Sequence, residues 1–196
     1  SYNFIWGFEE PENGVEYSLC YEMAEELYDY RKKFVDKILN KIVDIHKNIT
    51  DNLEEINIKY ISDFKDKESY IKRLNEKVEN DVYKGYTSSG IHRDDFEVYL
   101  NGKNINLYGS QGQFRTAILS LKLAELYVIY DEIGEYPILL LDDFMSELDE
   151  KRRRKFVENI TDAQVILTGT HKLLLENFYY NIYNVKDGQV KKEEQF

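Results

Sequence analysis

The chain carries 26 Lys and Arg against 37 Asp and Glu over 196 residues, a formal charge of −11 at pH 7. At 42% apolar residues, with 17 Tyr and 10 Phe, it can bury a core, which excludes disorder over most of its length. The acidity is the reverse of a free-standing nucleic-acid binder: a DNA contact must run through a local basic patch or a partner, and otherwise the charge describes a solvated surface.

The single cysteine, Cys20, excludes an intramolecular disulfide and a cysteine-cluster metal site. The unbroken apolar run at 137–141 is far short of the roughly 20 residues of a membrane-spanning helix. Glu9, Glu10 and Glu12 stand where a signal peptide would be apolar. A cytoplasmic protein with no membrane partner is expected.

In chain order, Cys20, Met23, Leu27, Tyr30, Phe34, Ile38, Ile42 and Ile45 recur at steps of three and four. They predict one face of a long helix, about seven turns, packed into a core or against another domain, or else a partner-binding groove. Residues 56–60 alternate like a strand, and Tyr70, Ile71, Leu74 and Val78 mark a shorter helix. Residues 1–85 therefore read as a mainly helical subdomain. From 86 to 196 the texture changes. Residues 96–100 alternate apolar and polar, Asn101-Gly102 is a hairpin signal, and 105–107 are expected to return as a strand. The glycine-bearing loop 109–113 leads into a helix whose apolar residues, Ile118 through Ile129, cover most of its circumference, so it is expected to be buried. A strand at 138–141, buried on both faces, a helix at about 150–160, a strand at 164–168 and a hairpin at Asp187-Gly188 complete the chain. Strand, helix, strand in that order implies a parallel layer and an α/β fold.

Four segments carry possible chemistry. Residues 138–141 run into Asp142-Asp143, carboxylates at the carboxyl end of a buried strand, where α/β sheets hold ligands. Burying two adjacent acids is costly without a cation, and a bound Mg²⁺ would remove that cost. The plain reading is a strand end followed by a solvated turn or cap. Ser110-Gln111-Gly112-Gln113 before the long helix offers N–H groups and the helix dipole to a phosphate, or is ordinary helix punctuation. Ser146-Glu147-Leu148-Asp149 alone is a turn and a cap. His171, closing Thr168-Gly169-Thr170-His171, alone reads as a surface or capping residue.

Their joint order is that of the second half of an ABC-type ATPase head. Ser88-Ser89-Gly90-Ile91-His92-Arg93-Asp94-Asp95, Asn101-Gly102, the loop from Gly109 to Thr116, the helix residues Leu119 to Glu125, Gly134-Glu135-Tyr136-Pro137 and the stretch from Leu139 to Asp149 together resemble the C-terminal part of the RecF family of bacterial DNA replication and recombinational repair ATPases. The resemblance is dense from Thr87 to about Arg154 and looser over the preceding helix. It implies a partial ABC/SMC-like head, with a parallel or mixed sheet and helices, over 86–196, and a helical subdomain before it. It further implies that Ser110, Gln111, Gly112 and Gln113 form the signature motif, which meets the γ-phosphate of ATP held on the other subunit of an ATP-dependent homodimer. Asp142 resembles the Walker B acid that holds Mg²⁺, and Asp143 stands where related ATPases place the residue that polarises the attacking water. Ser146 to Asp149 would be the D-loop, and His171 the switch histidine. The implied partners are RecO- and RecR-type repair proteins and single-stranded, gapped or double-stranded DNA, in recombinase loading and the SOS response.

Ile91 departs from the family's usual Pro, and Phe114 from its usual Gln. The sequence holds no Gly-x₄-Gly-Lys-[Ser/Thr], so this chain carries half of a composite site and is expected to bind ATP weakly alone. A protein-kinase reading of His92-Arg93-Asp94 fails, since Tyr99 stands where the catalytic loop needs Asn and Met145 replaces the glycine after Asp143-Phe144. His92 to Asp95 are expected to tie the strand to its neighbours by hydrogen bonds, with a functional role near the nucleotide or DNA as the alternative. The basic run Lys151 to Lys155 reads mainly as a solvated helix face, with contact to a phosphate backbone as the alternative. The rival from another class is a non-catalytic module, or truncated paralogue, that docks on a repair partner. A Mg²⁺ hydrolase built on Asp142 and Asp143 alone lacks further ligands.

Overall fold

The computed structural model describes residues 15–143, 148–160, 162–170 and 179–193, with side chains from Tyr21 onward. Helix α1 (Val15–Ile49) is the long helix that the periodicity predicts. Its buried line, however, lies one residue away from the expected stripe over the first half. Ala24 is buried with Tyr28, Arg31 and Val35 half-buried, while Met23, Leu27, Tyr30 and Phe34 face solvent. From Ile38 through Ile42, Ile45 and Ile49 the expected face is core. The shift follows from what packs there: Phe64 stacks on Tyr21 at 5.4 Å and meets Tyr28 at 5.1 Å and Tyr70 at 5.2 Å, drawing the tyrosine face of α1 inward. Tyr70 belongs to α2 (Lys67–Lys84), which starts on the Asp66 cap and ends at Gly85, a left-handed position (φ 71°) suited to glycine.

Between the two helices, β1 (Ile56–Ile61) pairs antiparallel with β2 (Asp95–Leu100), Ile56 opposite Leu100 and Ile61 opposite Asp95. Asn101 and Gly102 make the expected turn, both at positive φ, into β3 (Lys103–Asn104). The returning strand ends there. Residues 105–107, expected as strand, are helical: the Asn104 side chain accepts from Asn106 N at 2.9 Å and starts the short α3 (Ile105–Tyr108), burying Ile105. Helix α4 (Gln111–Ile133) follows, with Thr116, Ala117, Leu119, Ser120, Leu123, Ala124, Leu126 and Val128 all buried, as its apolar circumference requires.

Strands β4 (Leu139–Leu141) and β5 (Val165–Leu167) pair in parallel, joined through α5 (Glu150–Glu158). Leu139 and Leu141 enter the core beside Phe156. The strand is not buried on both faces, as its composition suggested: Leu140 is 68% exposed, and Ile138 and Ile166 face the same way. Among the described residues, helices cover only one side of this two-stranded layer. An exposed antiparallel hairpin, β6 (Tyr183–Lys186) and β7 (Gln189–Lys192), turns at Asp187-Gly188. The main core is continuous from α1 through β1, β2 and α4 to β4 and α5, and an ion pair between Lys41 and Asp131 (2.7 Å) closes the α1–α4 edge. The fold is mixed α/β with a parallel pair.

Candidate functional site

The helix α4 begins on a reciprocal cap. Ser110 Oγ accepts from Gln113 N at 3.3 Å, and Gln113 Oε1 accepts from Ser110 N at 3.0 Å. That arrangement fixes Ser110 and leaves the first-turn N–H groups of Gln111 and Gly112 without intrahelical acceptors. The loop lines an open cleft of about 340 Å³ with Ile105, Asn106, Gly109, Phe114 and Arg115. Glycine at 109 is set by close approach, since a Cβ there would lie 2.6 Å from the Ile105 carbonyl oxygen. Phe114, the departure noted above, is 42% exposed in this cleft and gives it an aromatic wall.

Asp149 caps α5, its Oδ1 accepting from Arg152 N at 2.9 Å. The two helix starts are neighbours: a Cβ on Gly112 would come within 3.3 Å of a terminal nitrogen of Arg152. Between them lies Glu54, from the turn after α1, with its side chain only 11% exposed. Glu54 Oε1 accepts from Gln113 Nε2 at 3.1 Å and lies 4.0 Å from the Arg152 guanidinium. Its other oxygen lies 3.3 Å from His46 Nε2, and His46 Nδ1 lies 2.9 Å from Ser120 Oγ. Burial pushes the His46 pKa down against the pull of the Glu54 carboxylate, so the ring is neutral at pH 7. Facing a carboxylate, it carries its proton on Nε2 and donates to Glu54, while the single Ser120 hydroxyl proton is shared between His46 Nδ1 and the Thr116 carbonyl, each 2.9 Å from Oγ. Glu54 and His46 escaped the sequence reading because nothing local marks them; Glu54 and Gln113 are 59 residues apart.

The acids at the tip of β4 form a second group. Thr168 Oγ1, at the end of β5, donates to Asp142 and accepts from Asp143 N at 3.1 Å. Asp143 sits at φ 46°, a left-handed conformation that Asp tolerates better than most side chains. Both carboxylates are exposed, so the desolvation cost expected for buried acids does not arise. Among the described residues no group of three His, Cys, Asp or Glu gathers as a metal cage. One oriented, solvated carboxylate suits Mg²⁺, which keeps its waters and takes one or two carboxylates plus substrate phosphates. Thr168 is the partner that the strand-end motif carried without being singled out. Ser146 and His171 lie outside the described residues.

The remaining motifs make contacts within the fold. Asp94 accepts from Tyr60 Oη and, at 2.8 Å, from Ser62 Oγ, while His92 and Arg93 both reach the Thr87 carbonyl, tying strand and loop together as expected. Burial and the Asp94 carboxylate push the Tyr60 hydroxyl up to about 12. The basic run on α5 is largely neutralised: Lys151 and Lys155 pair with Asp51 at 2.5 and 2.9 Å, Arg152 with Asp149 at 3.6 Å, and Arg154 with Glu158 at 3.9 Å.

No protein-family model matches the chain. It is similar to the DNA replication and repair protein RecF of Exiguobacterium sp. (strain AT1b), 39% identical over 188 residues that cover 88% of this chain and 50% of the relative. It is likewise similar to the protein of that name from Clostridium perfringens (strain SM101 / Type A), 44% identical over 153 residues, 76% of this chain and 42% of the relative. The chain thus spans about half the length of the curated relatives it matches. Among solved structures, the recombination mediator protein RecF-ATP of the RecFOR pathway aligns with a TM-score of 0.70 at 28% identity, over 95% of this chain and 52% of that one. The corresponding RecF-ATPrS structure gives 0.69 at 29% identity, over 94% and 52%.

Proposed function

Because the chain belongs to the RecF family, we propose that it serves as the signature-motif and Walker B half of an ABC-type ATPase head acting in DNA replication and recombinational repair. The observation that carries this reading is the capped loop from Ser110 to Gln113, which lines an open cleft through Ser110 and Gln111 and meets Arg152 of α5 at Gly112. In the proposed homodimer, Ser110, Gln111, Gly112 and Gln113 bind the γ-phosphate of ATP held by the opposing copy, where backbone N–H groups and the positive end of a 23-residue helix favour an anion. Asp142 holds Mg²⁺, with Thr168 fixing its rotamer. Bound Mg²⁺ supplies charge neutralisation at the β- and γ-phosphates. Asp143 orients the attacking water. One methylene shorter than Glu, it reaches less far, which suits a slow switch better than a fast motor. Asp149, with Ser146, couples the two sites, and His171 contacts the γ-phosphate. The Gly-x₄-Gly-Lys-[Ser/Thr] cradle, absent from this sequence, comes from a further segment of the assembled protein. DNA and RecO- and RecR-type proteins are the partners, and the cytoplasm the compartment.

The test joins this chain, by co-expression, to the part of the Exiguobacterium relative that it does not match. Wild type is expected to dimerise on adding Mg-ATP, by light scattering, and to hydrolyse ATP faster with DNA. Ser110→Arg should abolish dimerisation. Asp142→Asn keeps an oxygen for Thr168 but loses the charge, and should cut turnover at least about tenfold. Unchanged dimerisation in Ser110→Arg overturns the signature assignment, and unchanged turnover in Asp142→Asn overturns the metal assignment. The second reading, a docking module without catalysis, is favoured by the missing phosphate loop; it is supported if the two parts associate equally well without ATP and hydrolyse none.

A further inference from the structure

The Gln113 side chain of the reciprocal cap is held at both ends. Its Oε1 takes the Ser110 N–H, and its Nε2 donates to Glu54. The amide cannot turn without breaking both bonds, so a displacement of Glu54 is passed to the Ser110 backbone. Glu54 faces Arg152 on its other side, and Arg152 also reaches Asp149 Oδ2 at 3.6 Å. The guanidinium lies against Gly112, where the absent Cβ leaves it room. The centre of this line is anchored in the core: His46 and Ser120 are both fully buried, and His46 donates to the second Glu54 oxygen. A carboxylate this enclosed, with Gln113, His46 and Arg152 disposed around it, has few alternative positions, because a move away from His46 leaves a fully buried donor unpaired.

We propose that Glu54 is a positioning residue that couples the Ser110–Gln113 loop to the Asp149 cap of α5, so that the two helix starts move as one unit through Ser110, Gln113, Glu54, Arg152 and Asp149. The purpose of that unit, aligning two nucleotide-facing segments, rests on the function proposed above; the coupling itself does not. Its physical content is a single buried carboxylate shared between an amide on α4 and a guanidinium on α5. Neutralising Asp149 changes how Arg152 divides itself between two acids, and the change reaches Gln113 through Glu54.

The test has two arms. In the chain alone, NMR follows the Gln113 side-chain amide and the Ser110 and Gly112 backbone amides. Asp149→Asn retains a good helix cap and removes only the charge. It is expected to shift these signals in the wild-type background and to lose that effect in Glu54→Ala. Should Glu54→Ala fail to fold, Glu54→Gln, which keeps the shape without the charge, should at least halve the transmitted shift. Signals on α4 that ignore Asp149→Asn, or that respond equally with and without the Glu54 charge, overturn the coupling. In the co-expressed assembly, Glu54→Gln should lower kcat about tenfold while KM for ATP changes less than about threefold. If Ser110→Arg abolishes dimerisation but Glu54→Gln leaves kcat unchanged, the positioning role fails and the signature reading stands. If Ser110→Arg changes nothing while the NMR coupling holds, the signature reading fails and the coupling stands.

Discussion

His46 is a titratable group enclosed on every side, with Ser120 on α4 at one nitrogen and Glu54 at the other, and Arg152 beyond Glu54. Desolvation holds its pKa below the ordinary value of about 6.5, Glu54 opposes that shift, and the Arg152 charge adds to it. The unfolded chain therefore binds a proton near pH 6.5 that the folded chain refuses. Stability linked to His46 is fully present above that pH and is lost as the pH falls toward the folded value. The lowered carboxyls of Asp51, Asp63, Asp66 and Asp81 act in a separate window, below about 4. Urea midpoints are accordingly expected to drop between pH 6.5 and 5.5 in wild type and to stay level across that interval in His46→Gln. Equal losses in both proteins would assign the acid sensitivity elsewhere.

Helices α2 and α4 are stabilised by opposite means. Eight buried side chains along one broad face hold α4, whereas α2 buries only Tyr70 and depends on its ends. Asp66 Oδ1 accepts from Ser69 N at 2.9 Å, and Asp66 Oδ2 accepts from Ser69 Oγ at 2.7 Å. Asp66→Ala is expected to lower the denaturant midpoint at unchanged m-value, and Asp66→Asn to lower it much less. The same contrast explains what the sequence could disclose. An apolar run on all sides, a hairpin dipeptide or a capping serine is a local signal, and α4, Asn101-Gly102 and Ser110 were legible for that reason. The inward face of the first half of α1 was not. Met23, Leu27, Tyr30 and Phe34 share helical spacing with Ala24, Tyr28, Arg31 and Val35, and the choice between the two lines was made by Phe64 and Tyr70. The pairing of β1 with β2 was equally hidden, because it joins residues some 40 positions apart. At the candidate site, Ser110, Gly112, Asp142 and Asp149 could be read from motif order, while Glu54, His46 and Thr168 matter through contacts that only the fold creates.

On the scale of the molecule, a charge of −11 and a nearly neutralised basic run work against DNA binding by this chain in isolation. Of the five cations from Lys151 to Lys155, only Arg153 lacks an acidic partner among the described residues. Asp51 dominates that balance. Lys151 and Lys155 together hold its carboxyl below the usual range, so it is ionised at neutral pH and occupies both amines. Its backbone is left-handed (φ 53°), a conformation that Asn adopts as readily, so Asp51→Asn removes the charge without straining the turn. Two lysines are then free to meet phosphates. Each such contact releases about one counterion, and the plot of log affinity against log salt should steepen by about two for Asp51→Asn over a shallow wild-type slope. Fluorescence anisotropy of a labelled duplex across a KCl series measures this directly. Identical slopes would mean that α5 does not face DNA and that its cations serve only to hold the turn after α1 against the start of α5.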